Sequence, residues 1–191
     1  MELILASTSP YRRQLLERLA IPFTCEAPAV DEKPLPGEAP EVLASRLALA
    51  KARAIASRFP AALVLGSDQV ASIAGDCIGK PGNHQAAAAQ LRASAGRRVS
   101  FYTGVALVAR SRQLELTALV PFAVEFRALA EEEIQSYLQR EQPYDCAGSF
   151  KCEGLGISLF ERMIGDDPTS LEGLPLIATN RLLRQAGLPC P

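Results

Sequence analysis

Short apolar runs alternate along this chain with longer segments of helical period. Leu3-Ile4-Leu5-Ala6 is a run of the kind that forms a buried strand, and Leu63-Val64-Leu65-Gly66 is another, ending at Ser67-Asp68. Between them the pattern predicts a helix over 10–19, a strand over 23–27, a proline- and acid-rich loop over 31–40 and a long helix over 40–58. Further on it predicts a helix over 86–95, then strands over 99–108 and 114–126 forming an antiparallel pair joined near 110–111, then a helix over 131–140. A polar, glycine-bearing loop over 144–156, a strand over 157–160 and a last helix within 174–186 complete the series. Strands alternating with helices around an antiparallel pair make an α/β fold, a mixed sheet flanked by helices. A chain of 191 residues without internal repeats reads as one domain, long enough to bury a core without metal or disulfide staples.

Charge and composition narrow the function classes. Twenty basic against 21 acidic residues leave a formal charge of −1, which disfavours a protein that coats nucleic acid. No apolar run approaches the roughly 18 residues of a membrane span, and Met1-Glu2-Leu3 lacks the basic start of a signal peptide. The five cysteines (25, 77, 146, 152 and 190) form no CxxC pair and are odd in number, as expected of reduced thiols in a cytoplasmic protein. With His84 as the one histidine, a metal site built on several histidines is impossible. His84 itself reads as an exposed first-turn residue behind an Asn83 helix cap. A bound metal would therefore take carboxylate oxygens and be a hard ion such as magnesium or manganese.

The candidate chemistry begins directly after the first strand, in Ser7-Thr8-Ser9-Pro10-Tyr11-Arg12-Arg13. Ser9 is a natural N-cap with Pro10 at the first helical position. Arg12 and Arg13 then place two cations at the positive end of the helix dipole, a cost of about 0.3–1 kcal/mol each when exposed. A bound phosphate reverses that cost, because free N–H groups, serine hydroxyls and guanidinium groups surround one point. The competing reading is that the arginines pair with nearby acids. Lys51, one of four lysines against sixteen arginines, follows Leu43 and Leu47 at four-residue spacing and shares their buried face. This spacing suits a lysine at the edge of an apolar stripe as well as a functional one. Asp68 closes a buried strand, at the edge where open α/β sheets bind ligands. A carboxylate there can hold a divalent cation or take a proton from water, with Asp31-Glu32 as the source of a partner. Gly79-Lys80-Pro81 adds a lysine in a stiff loop suited to a phosphate. Neither GxxxxGK[ST] nor a GxGxxG after a strand occurs, which argues against a P-loop ATPase or a Rossmann dehydrogenase.

These motifs, together with Val30-Asp31-Glu32, Lys51-Ala52, Gly66-Ser67-Asp68-Gln69-Val70, Tyr102-Thr103-Gly104 and Gly173-Leu174-Pro175-Leu176, resemble in their order the Maf-like nucleoside-triphosphate pyrophosphatases. The resemblance covers nearly the whole chain. It implies a single domain over 1–191 with two lobes and a central cleft, similar to inosine triphosphate pyrophosphatase, and a homodimer. It also implies hydrolysis of a nucleoside triphosphate to the monophosphate and pyrophosphate with Mg2+ or Mn2+. By the same resemblance Asp68 is the general base and a metal ligand, and Glu32 is its acidic partner on the metal. Lys51 and Lys80 are catalytic phosphate contacts, and Ser7, Ser9, Arg12 and Arg13 bind the phosphates.

Three positions sort substrates in that family. Tyr11, Gln69 and Glu153 resemble the 7-methyl-GTP subfamily, with the departure that tryptophan usually stands where this chain has Tyr11. An aromatic ring attracts the cationic 7-methylguanine by about 0.5–2 kcal/mol. Glu153 can accept from the ring N–H and the exocyclic amine. The rival readings are a dTTP/UTP or broad-specificity pyrophosphatase and a nucleotide-binding regulator of cell division that does not hydrolyse. Cys146 and Cys152 flank the Glu153 loop without the second ligand pair a zinc site needs.

Overall fold

In the computed structural model, which describes residues 2–188, the elements run β1 (Leu3–Ala6), α1 (Pro10–Glu17), β2 (Thr24–Glu26), α2 (Pro40–Arg58), β3 (Leu63–Ile73), β4 (Asp76–Ile78), α3 (His84–Ser94), β5 (Arg98–Ala109), β6 (Leu114–Phe126), α4 (Glu131–Glu141), β7 (Phe160–Ile164) and α5 (Leu176–Gln185). Cys190 lies outside the described residues. The strands form a mixed seven-stranded sheet in the order β2-β1-β3-β5-β6-β7, with β4 on β3. β1 pairs parallel with both β2 and β3, whereas β4 and β7 pair antiparallel with β3 and β6. The short link between β5 and β6, a 3-10 turn over Arg110–Arg112, permits only the expected antiparallel arrangement. Among the described residues no helix is long and apolar enough to cross a membrane.

Two compact units divide the chain, the first comprising 2–69, 102–120 and 167–188 and the second 70–101 and 121–166 among the described residues. In the first unit, the two-residue period of the strands sorts every side chain to one of two layers. Leu3, Leu5, Leu63, Leu65, Val105 and Leu107 point to the layer made by α1 and α5, with Leu15, Leu16, Leu182 and Leu183. Ile4, Val64, Ala106 and Val108 point the other way, onto Ala48, Ala52, Ile55 and Ala56 of α2. Helix α2 lies very close to the sheet. A Cβ added at Gly66 would strike the Ala48 carbonyl oxygen, and one at Gly104 the Ala44 carbonyl oxygen. In the second unit, Phe101, Phe126, Phe150 and Phe160 meet edge to face, with neighbouring centroids 4.9–5.7 Å apart.

Several expected boundaries shift, each for a local reason. Strand β3 does not end at Ser67-Asp68 but runs on to Ile73, because its polar side chains find buried partners and the ladder need not stop. Asp68 therefore lies within the strand rather than at its carboxyl end. Helix α1 stops at Glu17 and not at 19, with Ala20 in the left-handed region at φ 53°. The segment expected as a strand over 157–160 is a 3-10 turn over Leu155–Leu159, and β7 begins only at Phe160. The Lys151 carbonyl accepts the N–H groups of both Gly154 and Gly156 and coils the segment. β4 carries no apolar pattern in the sequence, being three residues with two exposed side chains.

The tight seat of α2 sets a measurable cost. Gly104→Ala is expected to lower unfolding free energy by about 2 kcal/mol through overpacking, read as a lower urea midpoint with unchanged slope. Gly79→Ala, where an added Cβ meets nothing within 4 Å, should leave the midpoint close to wild type.

Candidate active site

The alternation that sorts the core of the first unit also sorts its polar residues. Counting along β3, Gly66 and Asp68 face α2, while Ser67 and Gln69 face the opposite layer. On α2, Lys51 stands one turn beyond Leu47 and is only 5% exposed, inside the stripe rather than at its edge. Its Nζ lies 2.6 Å from Asp68 Oδ1 and 2.7 Å from Glu32 Oε1. Asp68 is buried, and Glu32 reaches in from the exposed loop that precedes α2. One ammonium thus holds two carboxylates together and compensates the burial of both itself and Asp68.

Arg12 completes the cluster. Ser9 caps α1 as expected, its hydroxyl accepting the Arg12 N–H at 3.4 Å, and the Ser7 hydroxyl accepts the Ser9 N–H at 3.1 Å. The Arg12 Nε donates to the Gly173 carbonyl at 2.9 Å. Burial pulls this guanidinium below its ordinary value, while the nearby charges of Asp68 and Glu32 push it back up. An arginine remains cationic under all such conditions. Arg13 behaves otherwise: it is exposed and its Nε pairs with Glu17 at 3.0 Å on the next turn. The two adjacent arginines therefore differ in their surroundings, Arg12 lying near the charges of Asp68 and Glu32 and Arg13 pairing with an acid of its own helix.

The opposite side of β3 rests on a segment that pattern reading of the sequence left unassigned. Ser67 Oγ donates within reach of the carbonyls of both Gly104 and Gly173, at 2.9 and 3.0 Å. Gln69 Nε2 donates to the carbonyls of Ser170 and Leu171, at 2.6 and 3.2 Å, and Thr103 Oγ1 also donates to Ser170 at 3.1 Å. Gln69 is left with its carbonyl oxygen as an acceptor. The segment is itself fastened by buried Asp167, whose carboxylate accepts the N–H groups of Thr169 and Ile177, at 3.1 and 2.8 Å, and the Thr169 hydroxyl at 2.6 Å. Asp167-Pro168-Thr169 is the sequence signal that was there to be read, an N-cap followed by proline at the first helical position.

Ser7, Ser9, Tyr11, Arg12, Arg13, Glu32, Lys51, Asp68 and Gln69 belong to the first unit, with Arg12, Glu32, Lys51 and Asp68 drawn into one cluster. Lys80 and Glu153 belong to the second, both exposed on loops. His84 is half-buried rather than exposed: its Nδ1 lies 3.0 Å from the Tyr144 hydroxyl and its Nε2 2.7 Å from Gln135 Oε1. Cys146 has its thiol pushed up to about 12, chiefly by burial.

Among the described residues no three His, Cys, Asp or Glu side chains converge into a ready metal cage. The pair Asp68 and Glu32 still fits a hard cation of the magnesium type. Such ions take one or two carboxylates and complete their shell with water and substrate phosphates. Each carboxylate contacts Lys51 through one oxygen. Two carboxylates, one ammonium and one guanidinium are thus gathered near the start of α1.

The family model described as "Maf-like protein" matches residues 2–186. A "7-methyl-GTP pyrophosphatase" of Xanthomonas oryzae pv. oryzae (strain MAFF 311018) is 58% identical over 189 residues, 99% of this chain and 98% of its own. A protein of the same name from Polaromonas sp. (strain JS666 / ATCC BAA-500) is 56% identical over 186 residues, 97% of this chain and 85% of its own. Another, from Nitrosococcus oceani, is 54% identical over 187 residues, 98% and 94% of the respective chains. Among solved structures, "The structure of the Staphylococcus aureus Ham1 protein" matches with a TM-score of 0.48 and 15% identity, over 66% of this chain and 72% of that one.

Removing the shared ammonium should expose its structural share. Lys51→Met leaves Asp68 buried without its main partner, an expected loss of about 3 kcal/mol in chemical denaturation. Adding Asp68→Asn to that variant should recover most of the loss, which a double-mutant cycle reads directly.

Proposed function

This chain belongs to the Maf-like protein family, and we propose that it hydrolyses 7-methyl-GTP to 7-methyl-GMP and pyrophosphate. The observation that carries this reading is the clasp of Asp68 and Glu32 by Lys51, with the charges of both carboxylates also acting on the Arg12 guanidinium. A binding protein needs cations for a triphosphate but has no use for a buried carboxylate among them. A hydrolase needs that carboxylate to take a proton from the attacking water.

In the reaction, water attacks a phosphorus of the α–β bridge and a new P–O bond forms as the bridging P–O bond breaks. Asp68 receives the proton that the water loses. Arg12, Lys51 and Lys80 neutralise charge on the phosphate oxygens, and Ser7, Ser9 and Arg13 help to bind the triphosphate. Asp68 and Glu32 would hold a magnesium or manganese ion, which when bound shields the triphosphate charge. Lys51 is suited to both states of the site, since an ammonium held by carboxylates can turn its charge towards an arriving phosphate.

Base choice follows from charge. Methylation at N7 makes the guanine ring cationic, and the face of Tyr11 attracts a cation. Glu153 accepts from the ring N–H and the exocyclic amine, two donors side by side, whereas thymine and uracil offer one N–H between carbonyl oxygens. The 54–58% identity to proteins named "7-methyl-GTP pyrophosphatase" supports the same choice.

Three measurements test the reading. Pyrophosphate release assayed on 7-methyl-GTP, GTP, dTTP and UTP should be fastest on the first, and EDTA should abolish it until Mg2+ or Mn2+ is restored. Asp68→Asn should lower kcat by about 10²–10⁴-fold while nucleotide titration still shows binding, and near-normal turnover would remove Asp68 from its role. Glu153→Gln should narrow the preference for 7-methyl-GTP over GTP by about tenfold, the worth of one charge-assisted hydrogen bond.

A further inference from the structure

In the second unit, one side chain joins two loops that the sequence keeps far apart. Gln90, on the last turns of α3, donates from Nε2 to the Gly79 carbonyl at 3.0 Å and accepts at Oε1 from the Ser149 hydroxyl at 2.5 Å. The orientation of its carboxamide is settled by Gly79, whose carbonyl can only accept. Gly79 immediately precedes Lys80. Ser149 begins the segment that leads through Phe150 and Lys151 to Glu153.

Ser149 is held in an unusual state. It is fully buried, and its φ of 62° puts a non-glycine residue in the left-handed region directly after Gly148 at φ 78°. Such a conformation persists only where the surroundings enforce it, and it concentrates at functional sites. Among the described residues Gln90 is the partner that its buried hydroxyl has. Beyond Ser149 the chain has little freedom. Phe150 sits in the aromatic cluster, the Lys151 N–H donates to the Tyr137 hydroxyl at 3.1 Å, and the Lys151 carbonyl closes the turn that carries Glu153. The Lys80 loop is tied at its other end as well, where the Gly82 N–H donates to the Tyr144 carbonyl at 2.9 Å. Both loops thus have clamped bases, while Lys80 and Glu153 at their tips are exposed. Clamping the bases of two exposed charged tips serves a ligand more than it serves the core.

We propose that Gln90 is a positioning residue that locks the Lys80 loop to the Glu153 loop, so that phosphate grip and base choice are set together. This rests on the assignment of Lys80 to the phosphates and Glu153 to the base. If one loop shifts, the other loses its reference, and a misplacement on the order of 1 Å can cost about 10²-fold in rate.

The test uses the full chain with Gln90→Met, Gln90→Glu and Ser149→Gly, each alone and combined with Lys80→Ala. Gln90→Met removes both bonds at similar volume. It should lower kcat/KM for 7-methyl-GTP about tenfold, narrow the preference over GTP and shrink the cost of Lys80→Ala. Gln90→Glu still accepts from Ser149 but cannot donate to Gly79. By the same lock it should narrow the base preference, though less than Gln90→Met, as well as shrink the cost of Lys80→Ala. A merely structural role would reduce the active fraction and scale both nucleotides alike, leaving the preference and the Lys80→Ala cost at wild-type values. That result in Gln90→Met overturns the proposal. Should that variant fail to fold, Ser149→Gly, which relieves the left-handed backbone while deleting the hydroxyl, must narrow the preference, and a wild-type preference there also overturns it. If the wild-type enzyme shows no preference for 7-methyl-GTP, the functional reading fails instead. The change in Lys80→Ala cost, measured on whichever nucleotide is turned over or bound, still decides the coupling.

Discussion

A single ammonium between two carboxylates is the arrangement around which the first unit is organised. Lys51 is nearly as buried as the leucines it follows on α2, and a lysine there is tolerable only because Asp68 and Glu32 meet it at 2.6 and 2.7 Å. That contact requires α2 to lie unusually close to the sheet. The approach is made possible by Gly66 and Gly104 on the strands and by the alanines at 44, 48 and 52 on the helix. Small residues along this seam therefore serve the site as directly as the charged ones do. They fix how far an ammonium on the helix stands from a carboxylate on the strand.

The other side of β3 carries an equally specific support. Ser67, Gln69, Thr103 and Arg12 all send their donors to main-chain carbonyls between Ser170 and Gly173. Asp167 holds that segment and the start of α5 together from one buried carboxylate. Main-chain carbonyls cannot be changed by substitution, so the framework constrains the direction of each polar side chain without itself being chemically variable. Gln69 illustrates the consequence: with its amide nitrogen occupied, only its carbonyl oxygen is left, as an acceptor.

The second unit achieves order by a different route. Its loops are anchored by aromatic packing around Phe150 and by side-chain bonds from α3, through Gln90 and through His84 with Tyr144. The residues that carry charge, Lys80 and Glu153, stay in solvent. Rigid bases and exposed tips give long-range charges fixed positions without the cost of burying them.

Hydrophobic periodicity determined much of this architecture in advance. β1 and α2 begin and end where the pattern puts them, the caps at Ser9 and Asn83 are as expected, and the leucine spacing placed Lys51 on a buried face. The order of short motifs determined the family. What local pattern could not decide was the fate of each polar residue, because partners far away in sequence settle it. β3 continues through Ser67-Asp68-Gln69 since helix α2 and the 170–173 carbonyls satisfy those side chains, and nothing within the strand announces them. Arg12 and Arg13 look alike in the sequence, yet one is drawn to a carboxylate cluster and the other to its own helix. His84 and Gln90 carry no motif at all; only packing of α3 against the preceding Gly79 loop, α4 and the 144–149 segment gives them partners. Local composition sets which residues can be buried, whereas tertiary contact decides which charges and hydrogen-bond donors find one another.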